Sequence, residues 1–250
     1  MPKEPKTVAD IADALRELIE QYEVGRRLPT AVELARKYGA SRDTVNRAMR
    51  LLEAEGLLES RGEDTRGVVV SPSRMHLSGL RPSFTLELKK QGQNPYEANI
   101  DEPAFLPAPL NAAKALNVQE GTLIAHRFRV QGAQQGERKI PYRLAENFYP
   151  TTLVDRSILE QMQKDEQADT IVAIKEKYGK VIVRVHEDMD VRLPRTTERD
   201  LLQISPQTPV IEIRRVNFAE DGTVIMFNKI ILVASTFTLS YDYSVDHWKN

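Results

Sequence analysis

Residues 30–70 read TAVELARKYGASRDTVNRAMRLLEAEGLLESRGEDTRGVVV, and their pattern decides the fold of the first part of the chain. Thr30, with Glu33 three residues on, has the spacing of a capping box and starts a helix. Gly39 stops it, because glycine accepts the left-handed conformation that closes helices. Ser41 caps a second helix running from Arg42 to Gly56, with Val45, Ala48, Met49 and Leu52 at helical spacing on its inner face. LLESR and RGVVVS then read as two short strands joined by the charged tip Gly62-Glu63-Asp64-Thr65. Helix, tight turn, helix and hairpin outline a winged helix-turn-helix.

Upstream, Val8, Ile11, Ala12, Leu15, Leu18 and Ile19 predict a first helix over about 8–21, capped by Thr7 with Asp10. Net charge over the 250 residues is −1 and says nothing of nucleic acid; its distribution does. Arg36, Lys37, Arg42, Arg47 and Arg50 stand against the single acid Asp43. The first helix carries Asp10, Asp13, Glu17 and Glu20 against Arg16 alone. A protein that approaches phosphates with one face needs only that face to be positive.

In a helix-turn-helix the start of the second helix enters the major groove. Arg pairs bidentately with guanine, Asn with adenine, and Thr or Ser reaches bases or phosphates. The candidate DNA-contacting residues are therefore Thr30, Ser41, Arg42, Thr44, Asn46, Arg47 and Arg50, with Gly62 and Arg66 on the wing. Asp43 has two readings: an acceptor for cytosine N4, or a charge favouring the positive helix N-terminus. For any single Arg the plain alternative is a solvated surface residue, and for the whole block a helical protein-interaction module.

This block resembles the N-terminal domain of GntR-family bacterial regulators, through ALRELIE, G-RRLPT--ELARKYGASRDTVNRAMRLLEAEGLLESR and the closing VVV. The resemblance implies DNA contacts at Arg42, Thr44, Arg47 and the wing glycine. Many family members carry Arg where this chain has Val32 and Asn46, and their wing often reads G-R-G-T. Here it reads G-E-D-T-R-G, so either Gly62 or Gly67 fills the wing role.

The composition excludes several chemistries. There is no Cys, so disulfides, Cys-bound zinc and thiol nucleophiles are out. No apolar run approaches the roughly 18 residues of a membrane span, and the N-terminal stretch lacks a signal-peptide core. A cytoplasmic location, without membrane association, is expected. The four His residues form no metal-spaced pair. HEDMD at 186–190 has the residue types of a cation site, but its reading is that of a solvated strand face. No GxSxG, P-loop or GxGxxG occurs.

SPSRMHLSGLRPS is polar, without period, and reads as an interdomain connection. Boundaries are expected at 1–71 for the winged domain, 72–83 for the linker and 84–250 for a second domain. There, a short helix from Phe84 to Gln91, capped by Ser83, precedes strands at TLIAHRFRV, IPYRLAENFYP, KVIVRVHEDMDVRL, PVIEIRRVNF and TVIMFNKIILVAS. Helices fall at PLNAAKALNV, TTLVDRSILEQM, DTIVAIKEKYG and TTERDLLQI. Asp221-Gly222 predicts a hairpin. Too few helices alternate with the strands for repeated βαβ units, so the class is α+β with a mainly antiparallel sheet.

Order and spacing here resemble the effector-binding UTRA domain of the HutC subfamily, which has a chorismate-lyase-like fold. The carrying features are Asp101-Glu102-Pro103, NAAKALNVQEGT, an Arg-x-Arg strand, Pro141, Tyr149-Pro150, ERDLLQISPQTPVIEIRRV and the last hairpin. The resemblance implies a domain that binds a small metabolite and mediates dimerisation. Arg127 and Arg129 match the family's Arg-x-Arg pair. Alternation puts both on one strand face, where two guanidinium forks suit a phosphate or carboxylate; the alternatives are solvated charges or a salt bridge to a neighbouring strand. Where the family often has Glu, this chain has Ala145 and Met226. Glu146, one step beyond Ala145 and on the opposite face of a regular strand, and Asn228, sharing strand parity with Met226, complete the candidate effector-binding set. The loop VQGAQQGERK reads as longer than usual, and the pocket as poorer in carboxylates and more apolar than in relatives.

The functional expectation is a homodimeric bacterial repressor that binds a palindromic double-stranded operator and responds to a small-molecule effector. No catalytic residue, metal or cofactor is assigned. Two other classes remain open: a constitutive DNA binder whose second domain only dimerises, and an enzyme acting on the bound metabolite.

Overall fold

The computed structural model describes residues 7–23, 26–60, 68–70, 75–78 and 84–241. The chain divides into two units, Met1–Met75 and His76–Asn250. In the first, α1 (Val8–Glu20), α2 (Ala31–Tyr38) and α3 (Arg42–Ala54) precede two short strands, β1 (Leu58–Ser60) and β2 (Val68–Val70). Each helix begins where its cap requires. Thr7 and Thr30 form reciprocal capping boxes with Asp10 and Glu33, and Ser41 accepts from the Thr44 amide. Gly39 ends α2 at φ 66°, a conformation that costs other residues free energy and glycine little. The three residues from Gly39 to Ser41 then turn the chain into α3.

One apolar cluster holds these helices together: Ile11, Ala12, Leu15, Leu34, Val45, Ala48 and Leu52 all have no exposure, and Leu58 joins them from β1. Arg16 of α1 pairs with Glu55 just past the end of α3. Strands β1 and β2 are antiparallel, Leu58 opposite Val70 and Ser60 opposite Val68. The hairpin tip between them, with Gly62 and Arg66, lies outside the described residues, as does Ser83.

The second unit is an antiparallel sheet with helices on both faces. Its strands are β4 (Pro95–Asn99), β5 (Ala104–Pro107), β6 (Leu123–Gln135), β7 (Arg138–Pro150), β8 (Arg184–Arg192), β9 (Val210–Phe218) and β10 (Val224–Val233). The order is β4-β6-β7-β10-β9-β8, with β5 also beside β6. Helices α6 (Arg156–Lys164) and α7 (Thr170–Tyr178) place Ile158, Met162 and Ile174 in one cluster with Ala125, Tyr149 and Met226. On the opposite face α5 (Leu110–Leu116) joins Ile124, Phe148 and Phe227, and α8 (Thr196–Leu202) joins Leu144 and Ile231. The alternation Phe148/Tyr149 thus sends neighbouring aromatics to opposite cores.

Three differences from expectation stand out. The stretch VQGAQQGERK is not a long loop: β6 and β7 stay paired to Gln135 opposite Arg138, leaving Gly136-Glu137 as a two-residue turn with Gly136 at φ 61°. Part of the expected linker is a strand, β3 (Met75–Ser78), which pairs with β11 (Phe237–Ser240). Strands β4 and β5 lack the β-branched alternation that marks the others, so nothing in their own residues announces a strand.

A bulge interrupts the β6–β7 pair. Counting back from the hairpin, Gly132 faces Pro141, but the next pair is Gln131 with Arg143 rather than with Tyr142. The extra residue reverses the facing of the remaining strand. Gly132 tolerates this because a Cβ there would lie 1.9 Å from the Ile140 carbonyl oxygen.

Helices α6 and α7 are tied by Asp155, whose side chain caps α6 at the Ile158 amide (3.2 Å) and also pairs with Lys177 and Tyr178 of α7. The Lys177 bond, then Ser157, hold its carboxyl well below the usual carboxylate range. A depressed carboxyl pKa adds stability that is present above the unfolded value and withdrawn as pH falls past it. Asp155→Ala is therefore expected to cost about 1 kcal/mol near neutral pH. In thermal melts the gap to the parent should shrink below about pH 4; a gap independent of pH would contradict the assignment.

Candidate DNA-reading face and ligand cleft

On α3 the inner residues Val45, Ala48, Met49 and Leu52 are buried, which fixes the outer face. Arg42, Asp43, Arg47 and Arg50 are exposed, and Asn46 and Thr44 are partly buried. At about 100° per residue, Arg42, Asn46, Arg50, Asp43 and Arg47 fan over about 140° of the helix surface. Asp43 lies in the first turn and pairs with Arg47 at 2.9 Å, so it orients that guanidinium as well as favouring the helix N-terminus.

The two capping hydroxyls are occupied. Thr30 donates to Glu33 Oε2 at 2.8 Å and accepts the Glu33 amide. Ser41 takes the Thr44 amide at 3.0 Å and lies 2.8 Å from the Thr44 hydroxyl. Their first role is to fix the start of each helix, and among the described residues the unengaged polar surface of α3 is that of Arg42, Arg50 and Asn46. Val32, on α2, is half exposed at 49%.

In the second unit, β6, β7, β10 and β9 form the floor of a cavity of about 310 Å³. Helix α4 (Phe84–Lys90) contributes Phe84, Thr85 and Lys89 to its wall, and the segment from Gln167 to Ile171 closes another side. Three guanidinium groups, Arg129, Arg143 and Arg215, line it with Gln131, Asn147, Asn217 and Asn228. This wall is mainly polar.

Arg127 does not belong to the cavity lining. It has no exposure and is spent on other acceptors: Nε donates to Asn99 Oδ1 (3.0 Å), and its terminal nitrogens donate to the carbonyls of Ala168 (2.8 Å), Asp165 (3.1 Å) and Glu166 (2.7 Å). Burial, with Arg129 beside it, pushes its guanidinium down to about 10. It fastens the α6–α7 connection, and the two-fork reading of Arg127 with Arg129 gives way to one fork. Arg129 does line the cavity. It pairs with Glu97, which also accepts from Thr85. Its Nε is buried with no partner among the described residues.

Glu146 likewise does not line the cavity. Strand alternation turns it to the opposite face, where it meets His126 Nε2 at 3.2 Å and Lys229 at 3.7 Å. His126 and Lys229 hold its carboxyl below the usual range against the effect of burial. Ala145 faces the cavity instead.

Asn228 lines the cavity and is the middle of a ladder. Asn217 Nδ2 donates to Asn228 Oδ1 at 2.7 Å, and Asn228 Nδ2 donates to Asn147 Oδ1. Strand register explains the alignment, since Asn147 stands opposite both Arg127 and Asn228, and Asn228 opposite Arg215. Arg215 in turn stands opposite Glu187 and pairs with it. Sequence reasoning misses Asn147, Asn217, Arg143 and Arg215; their common facing is visible only once the strands are in register.

HEDMD resolves into two pairs across to β9 and one within β8. Glu187 meets Arg215, Asp190 meets Arg214 at 2.7 Å, and His186 lies 3.7 Å from Asp188. Among the described residues no group of His, Asp and Glu is placed to hold a metal ion. Among them, too, no helix is long and apolar enough to cross a membrane.

Comparison with known proteins agrees with both halves. Residues 7–70 match the family described as bacterial regulatory proteins, gntR family, and residues 91–238 match the UTRA domain. An HTH-type transcriptional regulator of Streptomyces coelicolor, SCO4628, is 28% identical, over 98% of this chain and 94% of its own. The HTH-type transcriptional repressor NagR of Bacillus subtilis is 27% identical, over 84% of this chain and 83% of its own. The crystal structure of PhnF from Mycobacterium smegmatis superposes with a TM-score of 0.64 at 22% identity, covering 94% of this chain and all of that one. The chain belongs to the gntR family of bacterial transcriptional regulators, joining a DNA-binding helix-turn-helix domain to a UTRA domain.

Proposed function

We propose that this regulator is a homodimeric repressor whose operator affinity is set by a small molecule in the sheet cavity. The observation that carries this reading is the cavity, with the buried Arg129 Nε unpaired among the described residues. A buried donor without a partner costs about 1–3 kcal/mol, and a bound acceptor would relieve that cost. A domain that served dimerisation alone would have no use for a polar hollow. Repression is inferred from the relative NagR, a transcriptional repressor.

The second copy is assigned to the sheet edge at β8. That strand pairs only with β9 among the described strands, and its Val191, with Val183 and Leu193 just beyond its two ends, is more than 60% exposed. An open edge strand presents unpaired backbone donors and acceptors to another chain. A dimer places two copies of α3 on two half-sites, as a palindromic operator demands.

Signal transfer is assigned to the aromatic contacts beside the cavity. The Arg143 guanidinium lies 3.9 Å from the centre of the Phe84 ring. Phe84 packs edge-on against Phe237 at 6.0 Å. Phe237 begins β11, whose partner β3 is the first strand after the winged unit.

The test selects bound fragments from genomic DNA, maps the protected site, and measures the mass of the complex. Two half-sites about one helical turn or a multiple apart, bound by two chains, are expected. A fraction of cell extract should then shift the affinity, with the active compound recovered chemically unchanged. A monomer on a single half-site, or an affinity that no metabolite fraction alters, would contradict the reading; a consumed compound would favour an enzyme.

A further inference from the structure

We propose that Arg143 is the anion receptor of the cavity, and that the ligand is a small hydroxylated compound with one carboxylate or phosphate group. This inference rests on the reading of the cavity as a ligand site. It assigns the anchoring role to a residue outside the Arg-x-Arg pair.

Charge pairing singles out Arg143. Arg129 is paired with Glu97 and Arg215 with Glu187, while Arg127 is saturated by four oxygens. Among the described residues Arg143 has no carboxylate within salt-bridge distance. Its one hydrogen bond runs from Nε to Gln131 Oε1 at 2.6 Å, and the Phe84 ring covers one face. The terminal nitrogens, which carry four of the five guanidinium N–H groups, have no protein acceptor among those residues. Burial, Arg215 and Arg129 push this guanidinium down to about 9, against the opposing pull of Glu97; it is still charged at neutral pH. The β6–β7 bulge that places Arg143 opposite Gln131 is what brings this cation to the cavity.

Gln131 and Phe84 hold the planar group by its Nε and one face, leaving the terminal pair for a bidentate bond. Carboxylates and phosphates match that fork. The asparagine ladder supplies the rest of the chemistry. Because it runs donor to acceptor from Asn217 to Asn147, it ends in a carbonyl at Asn217 and an amide nitrogen at Asn147. Both residues line the cavity. A hydroxyl, which donates and accepts, suits either end. At about 310 Å³ the space is at the small end of ligand sites.

Calorimetry on the full chain tests this with glycerol 3-phosphate and gluconate as anionic probes, glycerol and sorbitol as neutral ones, and inorganic phosphate as the anion alone. At least one hydroxylated anion should bind at millimolar concentration or below, more tightly than phosphate and than its neutral counterpart. The arm that binds tells phosphate from carboxylate. Arg143→Gln should weaken it about 10- to 100-fold, and Arg143→Lys less. Arg214→Gln, a change outside the cavity, should leave it unaltered. Thermal melts of free Arg143→Gln should match or exceed the parent, since a poorly compensated cation has been removed.

Neutral polyols binding as tightly as the anions would overturn the assignment, as would unaltered affinity in Arg143→Gln or no binding by any anion. The two readings fail separately. Arg143-dependent binding that leaves operator affinity unmoved would contradict the proposed regulation alone. Regulation by a compound indifferent to Arg143 would contradict this inference alone.

Discussion

Arg127→Ala is expected to lower the stability of the UTRA domain by about 3–5 kcal/mol, the cost of leaving several buried acceptors without their charged donor. Three main-chain carbonyls and Asn99 would lose their donors at once, in a site with no exposure. Each buried polar group left unpaired costs about 1–3 kcal/mol before relaxation. Lysine should rescue only part of this, because one ammonium cannot span four acceptors held in a fork. Urea unfolding of the full chain, followed by a probe in the second domain, reads the effect. Were Arg127→Ala to keep its stability and lose only its ligand response, the residue would be a ligand fork, as the Arg-x-Arg resemblance implies.

The second large effect concerns α3. Replacing Arg42, Arg47 and Arg50 together by Ala should reduce operator binding to the non-specific level, a loss of about 10³-fold or more. The three side chains are exposed, so the fold should survive; circular dichroism and melting check that. Single replacements separate their roles. Arg42→Ala, at the N-terminus of the helix, should cost about 1–3 kcal/mol and relax preference at one base pair. A residue that touches only phosphate should instead weaken all sequences alike and reduce the salt dependence by about 0.9 in log–log slope. Asp43→Ala, which frees Arg47 from its 2.9 Å partner, should alter the contribution of Arg47 and leave that of Arg42 unchanged. Unaltered operator affinity in the triple variant would remove α3 from the interface.

Local signals in the sequence carry the winged unit because its structure is local. Capping residues, Gly39 and the apolar spacing of α3 each act within a few positions, and each is found where its chemistry places it. The sheet domain is legible in its long β-branched strands and in the Asp221-Gly222 hairpin, where Gly222 takes φ 82°. Strands β4 and β5 are not, since their identity comes from pairing with β6 rather than from their own composition.

The cavity is legible in part for the same reason. Parity along β6 puts Arg127 and Arg129 on one face, and both are there. What parity does not carry is the chain that comes to meet a residue: the 165–168 carbonyls close over Arg127 while Arg129 is left beside open space. Parity also fails across a bulge, so Arg143 gains no role from a strand that is itself easily recognised. The asparagine ladder needs three strands in register, from positions 147, 217 and 228. Glu146, one step beyond Ala145, keeps the facing that alternation dictates and pairs with His126 and Lys229.

The central claim is that occupancy of the cavity changes the hold of α3 on DNA. Fluorescence anisotropy of labelled operator with the full chain, with and without the anion that calorimetry identifies, measures it directly. The parent should show a change of about 5- to 150-fold in operator affinity, and Asn228→Leu, which breaks the ladder at its centre, should bind the operator normally and lose the change. Saturation of the cavity with no shift in the parent, or the same shift in Asn228→Leu, would contradict the account.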